Sequence, residues 1–494
     1  MRLSHVVQPL VKYRRIGSED PEIMYLTADS RQVRSGSLFV AIRGCTVDGH
    51  AFAEDAVRNG AMALMVDTEL PQLSVPQIVV SDTRKASGIL ATQFYRDPSS
   101  RLAVIGVTGT NGKTTVTHLI EAILLDHGAK PRLLGTVGKR IGNQTQAMVN
   151  TTPETIDLQA ALAEMVSAGC DYGILEVSSI ALELGRAAGT QFHIGVFTNL
   201  TQDHLDFHGT MENYRRAKGK LFSRLGNAYG KDRWSTACAV LNADDDATAL
   251  YRRETVMECV TYGIREPADV RATDIRVEAD GVRFHVTTFA GETDVKLRLT
   301  GRFNVYNALA ALSVGLVEGI DLSRMAHALE AVSGIPGRLD RIELGQPFTV
   351  LIDYAHTPDG LWNVLTTIRE WANGRVITVV GSGGNRDRGK RPKMAQVAVE
   401  GSDVTILTSD NPRTEDPEQI LDDMERGVVG TSGRYERLTD RREAIWHAVA
   451  IAEPGDVVLI AGKGHETYQI IGRSQIPFDD REEAAAAIRA RFPK

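Results

Sequence analysis

Short apolar runs alternate with amphipathic stretches along nearly the whole chain, a pattern that predicts an α/β protein. Within the first 100 residues, strand-like runs at Ser37–Ile42, Ala63–Val66 and Gln77–Val80 accompany a helix near Phe52–Asn59. The apolar run Ala103–Val107 reads as a buried strand, and Val116, Leu119, Ile120, Ile123 and Leu124 recur behind it at helical spacing. Strands at Tyr172–Val177, Ile194–Thr198 and Ala239–Asn242 follow, interleaved with helices over Ile156–Ser167 and Glu212–Leu225. Val282–Val286 and Val295–Leu299 alternate about Gly291 like a hairpin, and an alanine-rich helix covers Ala308–Val317. Further on, strands near Thr349–Ile352, Val376–Val380, Val404–Leu407 and Val457–Ile460 alternate with helices near Gly360–Trp371, Pro417–Arg426 and Arg441–Ala452.

Turn chemistry at Asp97–Ser100 and the breaker Ile335–Arg338 divide the chain into 1–100, 101–333 and 334–494. The expected architecture is a small N-terminal α/β domain, a central P-loop-type domain with a mostly parallel sheet, and a C-terminal Rossmann-like domain. A length of 494 residues suits about three domains. Hydrophobic content of 43% and charged content of 24% are those of an ordinary globular protein. The net charge of −7 argues against nucleic acid or an anionic membrane as the main partner. Cys45, Cys170, Cys238 and Cys259 form no C-x-x-C pair, so neither a zinc site nor a disulfide framework is indicated. Met1–Arg15 has no apolar signal-peptide core and no apolar run approaches 18 residues, so a cytoplasmic chain without a membrane span is expected.

The stretch AVIGVTGTNGKTT, residues 103–115, sets strand, glycine loop and helix start in the order a polyphosphate requires. Gly109, Thr110, Asn111 and Gly112 offer backbone N–H groups, Lys113 can reach the β/γ-phosphates, and Thr114 and Thr115 begin the helix, the Thr114 hydroxyl being suited to Mg²⁺. The spacing departs from the strict P-loop, with Val107 where the outer glycine would stand and Gly106 one place earlier. Glu176 closes an apolar strand, where a carboxylate can hold Mg²⁺. His204 belongs to a polar loop after the next strand, Lys218 reads as part of a solvated basic helix face, and Asn304 and Asn307 read as helix caps. Four polar clusters follow four strands in the last third, 353–359, 381–391, 409–416 and 462–466, and should converge at one sheet edge.

GTNGKTT at 109–115, EVSS at 176–179, TNLTQDHLD at 198–206, YRRAKGK at 214–220, GRFNVYNALAA at 301–311 and DYAHTPD at 353–359 together closely resemble the ATP-dependent Mur ligases of peptidoglycan synthesis. TADSR at 27–31, GGNRDRGKRP at 383–392, DNPR at 410–413 and GKGHE at 462–466 look like the branch adding the third residue of the stem peptide. The resemblance implies ligation of meso-diaminopimelate to UDP-N-acetylmuramoyl-L-alanyl-D-glutamate, with ATP and Mg²⁺ as cofactors; a monomer is expected, although the sequence itself does not set the oligomeric state. It implies that Glu176 and His204 hold magnesium and that Lys218 is carboxylated on its amine, becoming an anionic metal ligand. Asn304, Arg338, Asp353 and His356 match adenine-nucleotide contacts. Ser30, Cys45, Thr46 and Val47 match the uridine end, and Asn150, Thr151, Thr152, Ser178 and Arg186 the muramoyl-dipeptide end. Arg386, Asp410, Asn411, Pro412, Arg413, Gly462 and Glu466 match the amino-acid pocket, in which Arg413 can pair with the distal carboxylate that lysine lacks. Ile180 and Leu184 depart from the usual histidine and glutamine and are not carried over. Ligation of L-lysine or another diamino acid, and a P-loop ATPase acting as a switch, are the competing readings.

Overall fold

A computed structural model describes residues 1–44, 47–141, 144–146, 150–226 and 236–493. Three sheets organise it. The first has five strands in the order Arg14–Ile16, Gln77–Val79, Ala61–Val66, Ser37–Val40, Tyr25–Thr27, parallel except at Arg14–Ile16. The two short outer strands carry too few residues for an alternating pattern to register, and the apolar reading did not include them.

The second sheet has eleven strands and is parallel through seven of them: Val270–Glu278, Glu258–Gly263, Cys238–Asn242, Ile194–Phe197, Ala103–Thr108, Tyr172–Glu176 and Pro131–Gly135. Antiparallel strands close both edges. Gly281–Thr288 and Gly291–Leu297 pair as the hairpin expected around Gly291. Ala103–Thr108 lies between Ile194–Phe197 and Tyr172–Glu176, so the glycine loop, the TNLTQDHLD stretch and Glu176 leave the sheet side by side. Arg302–Val317 packs on helix Lys113–Asp126 beneath this edge, with Val305, Ala308, Leu309, Ala311 and Leu312 fully buried. A helix apolar around its whole circumference is one built to be enclosed, which accounts for its alanine-rich composition.

The third sheet runs Asp340–Ile342, Thr349–Asp353, Val457–Ala461, Val376–Ser382, Val404–Ser409, Tyr435–Arg437, parallel but for the first. Neighbouring parallel strands point the same way, so all four polar clusters of this region leave from one edge. Thr357 caps the helix Pro358–Trp371 by accepting the Gly360 N–H at 3.1 Å, with Pro358 in the first turn. Thr357→Ala is expected to cost about 1 kcal/mol, read as a lowered urea midpoint at unchanged slope.

Candidate active site

The phosphate loop is held by its neighbours before any ligand is considered. Thr198 Oγ1 donates to the Asn111 carbonyl at 2.6 Å, the Asn111 N–H donates to Asn199 Oδ1 at 2.9 Å, and Thr110 Oγ1 donates to the Thr201 carbonyl at 3.1 Å. Gly112 has a φ of 87°, and a Cβ there would strike Asn307 Oδ1. Both the left-handed backbone and the close approach require glycine. Lys113 Nζ folds back on the Gly109 and Thr110 carbonyls at 3.0 and 2.8 Å. Lys218 Nζ donates to the same Gly109 carbonyl at 2.7 Å and lies 4.5 Å from the Tyr214 ring centre. Burial lowers the pKa of both lysines, and for Lys218 the neighbouring Lys113 adds to it. The solvated-face reading of Lys218 is therefore corrected: its side chain is 1% exposed, because its helix packs that face onto the loop. The capping reading of Asn304 and Asn307 is corrected too. Gly301 is the cap; both asparagines lie inside the helix, Asn304 Nδ2 donating to the Thr300 carbonyl and Asn307 Nδ2 to Asn304 Oδ1.

The acidic side of the site is Glu176. Its carboxylate accepts from the Thr114 hydroxyl at 3.0 and 3.1 Å, from the Thr136 N–H at 2.9 Å and from the Thr136 hydroxyl at 2.8 Å. Thr114 Oγ1 in turn accepts from Arg338 Nη2 at 3.0 Å. Thr152 Oγ1 donates to the Glu176 carbonyl at 2.8 Å, Ser178 N–H donates to Thr152 Oγ1 at 3.0 Å, and Thr151 lies 3.2 Å from Thr136, hydroxyl to hydroxyl. Arg186 pairs with Glu154, which also pairs with Arg84 at 2.6 Å, and Arg84 donates to the Arg43 carbonyl at 3.5 Å. This chain of charges links Arg186 and Glu154 of the central region to the loop of the first sheet. There Ser30 is half-buried and Val47 exposed, as Asn150 is in the central region. Cys45 and Thr46 lie outside the described residues.

His204, at φ 53°, lies 3.3 Å from Asp203, and burial pushes its pKa down to about 3, Asp203 opposing. It groups with Tyr214 and Lys218, whereas Thr114 and Glu176 form a separate pair. Among the described residues, no three His, Cys, Asp or Glu side chains sit together as a ready cation cage.

Residues of the third sheet close over the loop. Asn111 Nδ2 donates to Asp359 Oδ2 at 3.0 Å, and Lys390 Nζ and His356 Nε2 lie 3.5 and 3.8 Å from Asp203. Asp353 accepts the Leu339 and Ala355 N–H groups, both at 2.7 Å, and so shapes the turn carrying Arg338. Burial raises its pKa against the pull of Arg338. His465 Nε2 meets the Thr136 carbonyl at 3.2 Å. Burial, then Arg338, push His465 down to about 4 from 6.5. The unfolded chain takes up this proton at the higher pH, so stability is expected to fall as pH drops from 6.5 to about 4, by at most about 1.4 kcal/mol per pH unit. His465→Gln should flatten that slope in denaturation midpoints measured across the range.

The next residue, Glu466, faces a second cluster. Asn411 Nδ2 donates to Glu466 Oε2 at 2.9 Å, and Lys463 Nζ donates to Glu466 Oε2 at 3.1 Å and Asn411 Oδ1 at 3.2 Å. Gly462, at φ 116°, lies where a Cβ would come 2.8 Å from Asp410 Oδ2. Arg413 has a φ of 54° and is half-buried; its N–H donates to the Ile470 carbonyl at 2.9 Å and its Nη1 to the Gly384 carbonyl at 2.9 Å. Burial and the like charge of Arg386 lower its pKa, and Pro412 beside it is buried. Arg413 thus lies within electrostatic reach of Arg386 and of the acidic Asp410 and Glu466. Thr136, Asp203, Asp359, Lys390 and Lys463 were not assigned from sequence. All but Thr136 stand inside quoted motifs, which was the available signal.

Three family models match the chain: Mur ligase family, catalytic domain, over residues 22–95; Mur ligase middle domain, over 107–315; and Mur ligase, glutamate ligase domain, over 337–464. A UDP-N-acetylmuramoyl-L-alanyl-D-glutamate–2,6-diaminopimelate ligase from Geobacillus thermodenitrificans is 52% identical over 472 residues, covering 96% of each chain. One of the same description from Bacillus cereus is 47% identical over 100% of this chain and 99% of its own. A solved structure so described has a TM-score of 0.67 at 35% identity, covering 100% of both chains. The MurF ligase of Thermotoga maritima in complex with ADP shares the fold, with a TM-score of 0.67 at 18% identity, covering 94% of this chain and 97% of its own.

Proposed function

The chain belongs to the Mur ligase family of ATP-dependent amide-forming enzymes, and from that premise we propose that it joins meso-diaminopimelate to UDP-N-acetylmuramoyl-L-alanyl-D-glutamate, releasing ADP and phosphate. One observation carries the reading: consecutive residues serve the two half-sites, His465 against Thr136 beside Glu176, and Glu466 against the Asn411–Arg413 cluster. A carboxylate is a poor electrophile, so the D-glutamate γ-carboxylate must first take the γ-phosphoryl group of ATP. The amine nitrogen then bonds to the acyl carbon, the carbon–oxygen bond to phosphate breaks, phosphate leaves with the electron pair, and the ammonium gives up its protons to phosphate and solvent. Lys113 and the loop N–H groups steady the polyphosphate, Asn304, Arg338, Asp353 and His356 serve the nucleotide, and closure by the third sheet's loops keeps water from the acyl phosphate.

Thr114 and Glu176 fit a hard cation. They are adjacent and buried, and they offer hydroxyl and carboxylate oxygen. They would hold Mg²⁺, with His204 and carboxylated Lys218 as further ligands; when bound, it neutralises phosphate charge. In this reading Ser30, Cys45, Thr46 and Val47 take the uridine end, and Asn150, Thr151, Thr152, Ser178 and Arg186 the dipeptide end. The reading keeps the lobes 1–100, 101–333 and 334–494 and has one chain supply every site residue, acting as a monomer. No helix among the described residues is long and apolar enough to cross a membrane. A cytoplasmic location, where ATP is supplied, is part of the proposal. Phosphate release measured with the UDP-dipeptide and each of several amino acids tests it. Turnover with meso-diaminopimelate well above that with L-lysine is expected; equal turnover would overturn the selectivity, and ATP hydrolysis without any amine would favour the switch reading.

A further inference from the structure

Lys463 is a buried cation to which the mechanism above gives no task. The side chain of Lys463 is 0% exposed, and it belongs to the cluster of Asn411 and Glu466 rather than to the phosphate loop. Its Nζ donates to Asn411 Oδ1 and Glu466 Oε2, and it lies 5.5 Å from the Tyr468 ring centre. It also acts on Asp410: burial works against that carboxylate, and Lys463 is the strongest of the opposing influences, ahead of Arg441. Arg441 is itself matched by Asp480, both side chains being 0% exposed. What remains in the cluster is Arg386, Arg413 and Lys463 against Asp410 and Glu466, an excess of one positive charge.

We propose that Lys463 is a specificity-determining positioning residue: it fixes Glu466 and Asn411 against each other and keeps the pocket net positive, so that a net-cationic amino acid is rejected. The inference rests on the amino-acid assignment proposed above. A substrate with two zwitterionic heads brings no net charge into the pocket, whereas lysine brings one positive charge. Charge–charge interaction with the half-buried Arg413 and the buried Lys463 makes that difference count. The two hydrogen bonds keep the Glu466 carboxylate turned toward Asn411, the residue next but one before Arg413.

The test uses the full-length chain, comparing kcat/KM for meso-diaminopimelate and for L-lysine in the wild type and in Lys463→Met, Lys463→Arg and Glu466→Gln. Lys463→Met is expected to shift the ratio toward lysine roughly tenfold to a hundredfold, with KM for ATP essentially unchanged. Lys463→Arg, which keeps the charge, should stay near the wild-type ratio. Glu466→Gln makes the pocket more positive and should move the ratio the other way, and this variant decides the matter if Lys463→Met does not fold. A fall in both activities by the same factor in Lys463→Met, or a shift toward lysine in Glu466→Gln, would overturn the proposal. A wild type that uses neither amino acid would instead overturn the assignment on which it rests.

Discussion

Lys218→Met is expected to lower phosphate release in the complete reaction about a thousandfold while leaving the chain folded. Lys218 is fully enclosed, shares the Gly109 carbonyl with Lys113, and has no ion-pair partner among the described residues. A buried ammonium with no carboxylate bonded to it is costly, and burial with Lys113 beside it outweighs the pull of Asp203 and Asp245 and lowers its pKa toward the neutral amine. A neutral amine adds carbon dioxide, and the product carries the oxygen anion that a divalent cation requires. Methionine fills the same volume without strain, so its effect reports on chemistry rather than on packing. Lys218→Glu restores a carboxylate on a shorter stem and is expected to recover part of the rate. Native mass spectrometry should show one added carbon dioxide in the wild type and none in either variant. Undiminished turnover in Lys218→Met would remove the residue from the mechanism.

Arg413→Ala is expected to raise KM for meso-diaminopimelate by two to four decades while that for ATP changes little. Removing one partner of a buried charged pair costs roughly 3–5 kcal/mol, which corresponds to that range in affinity. The structure adds a reason for the size of the effect. Arg413 is held before substrate arrives, by its backbone bonds to Ile470 and Gly472 and by Nη1 on the Gly384 carbonyl. A guanidinium already oriented loses little freedom on binding. Burial and Arg386 have lowered its pKa, so it gains from an incoming anion. Arg413→Lys should restore little, because an ammonium cannot make the paired bonds of the planar fork. An unchanged KM in steady-state assays would count against the assignment.

The strands of the second and third sheets were legible because their apolar runs are long enough to declare themselves: Ala103–Thr108 and Val376–Ser382 are buried on both faces. Short edge strands such as Arg14–Ile16 carry too little pattern to be read. The motif residues of the phosphate loop and of the cluster around Asn411 and Glu466 were singled out through resemblance. What the resemblance did not supply was how they are held: Thr136 under Glu176, Asp359 under Asn111, Lys390 beside Asp203 and Asn411 beside Glu466 come from other strands or other lobes. Local sequence carries no record of such partners.

Sequence alone determined the α/β class, the strand–loop–helix built for polyphosphate, the family, and the chemistry available at each motif, because those properties reside in side-chain type and short-range periodicity. Tertiary structure alone decided that Lys218 is buried rather than solvated, that Asn304 and Asn307 lie inside their helix, and that His465 meets Thr136 while Glu466 meets Asn411. Burial and charge partnership depend on which distant segments pack together, and packing is a property of the folded chain as a whole.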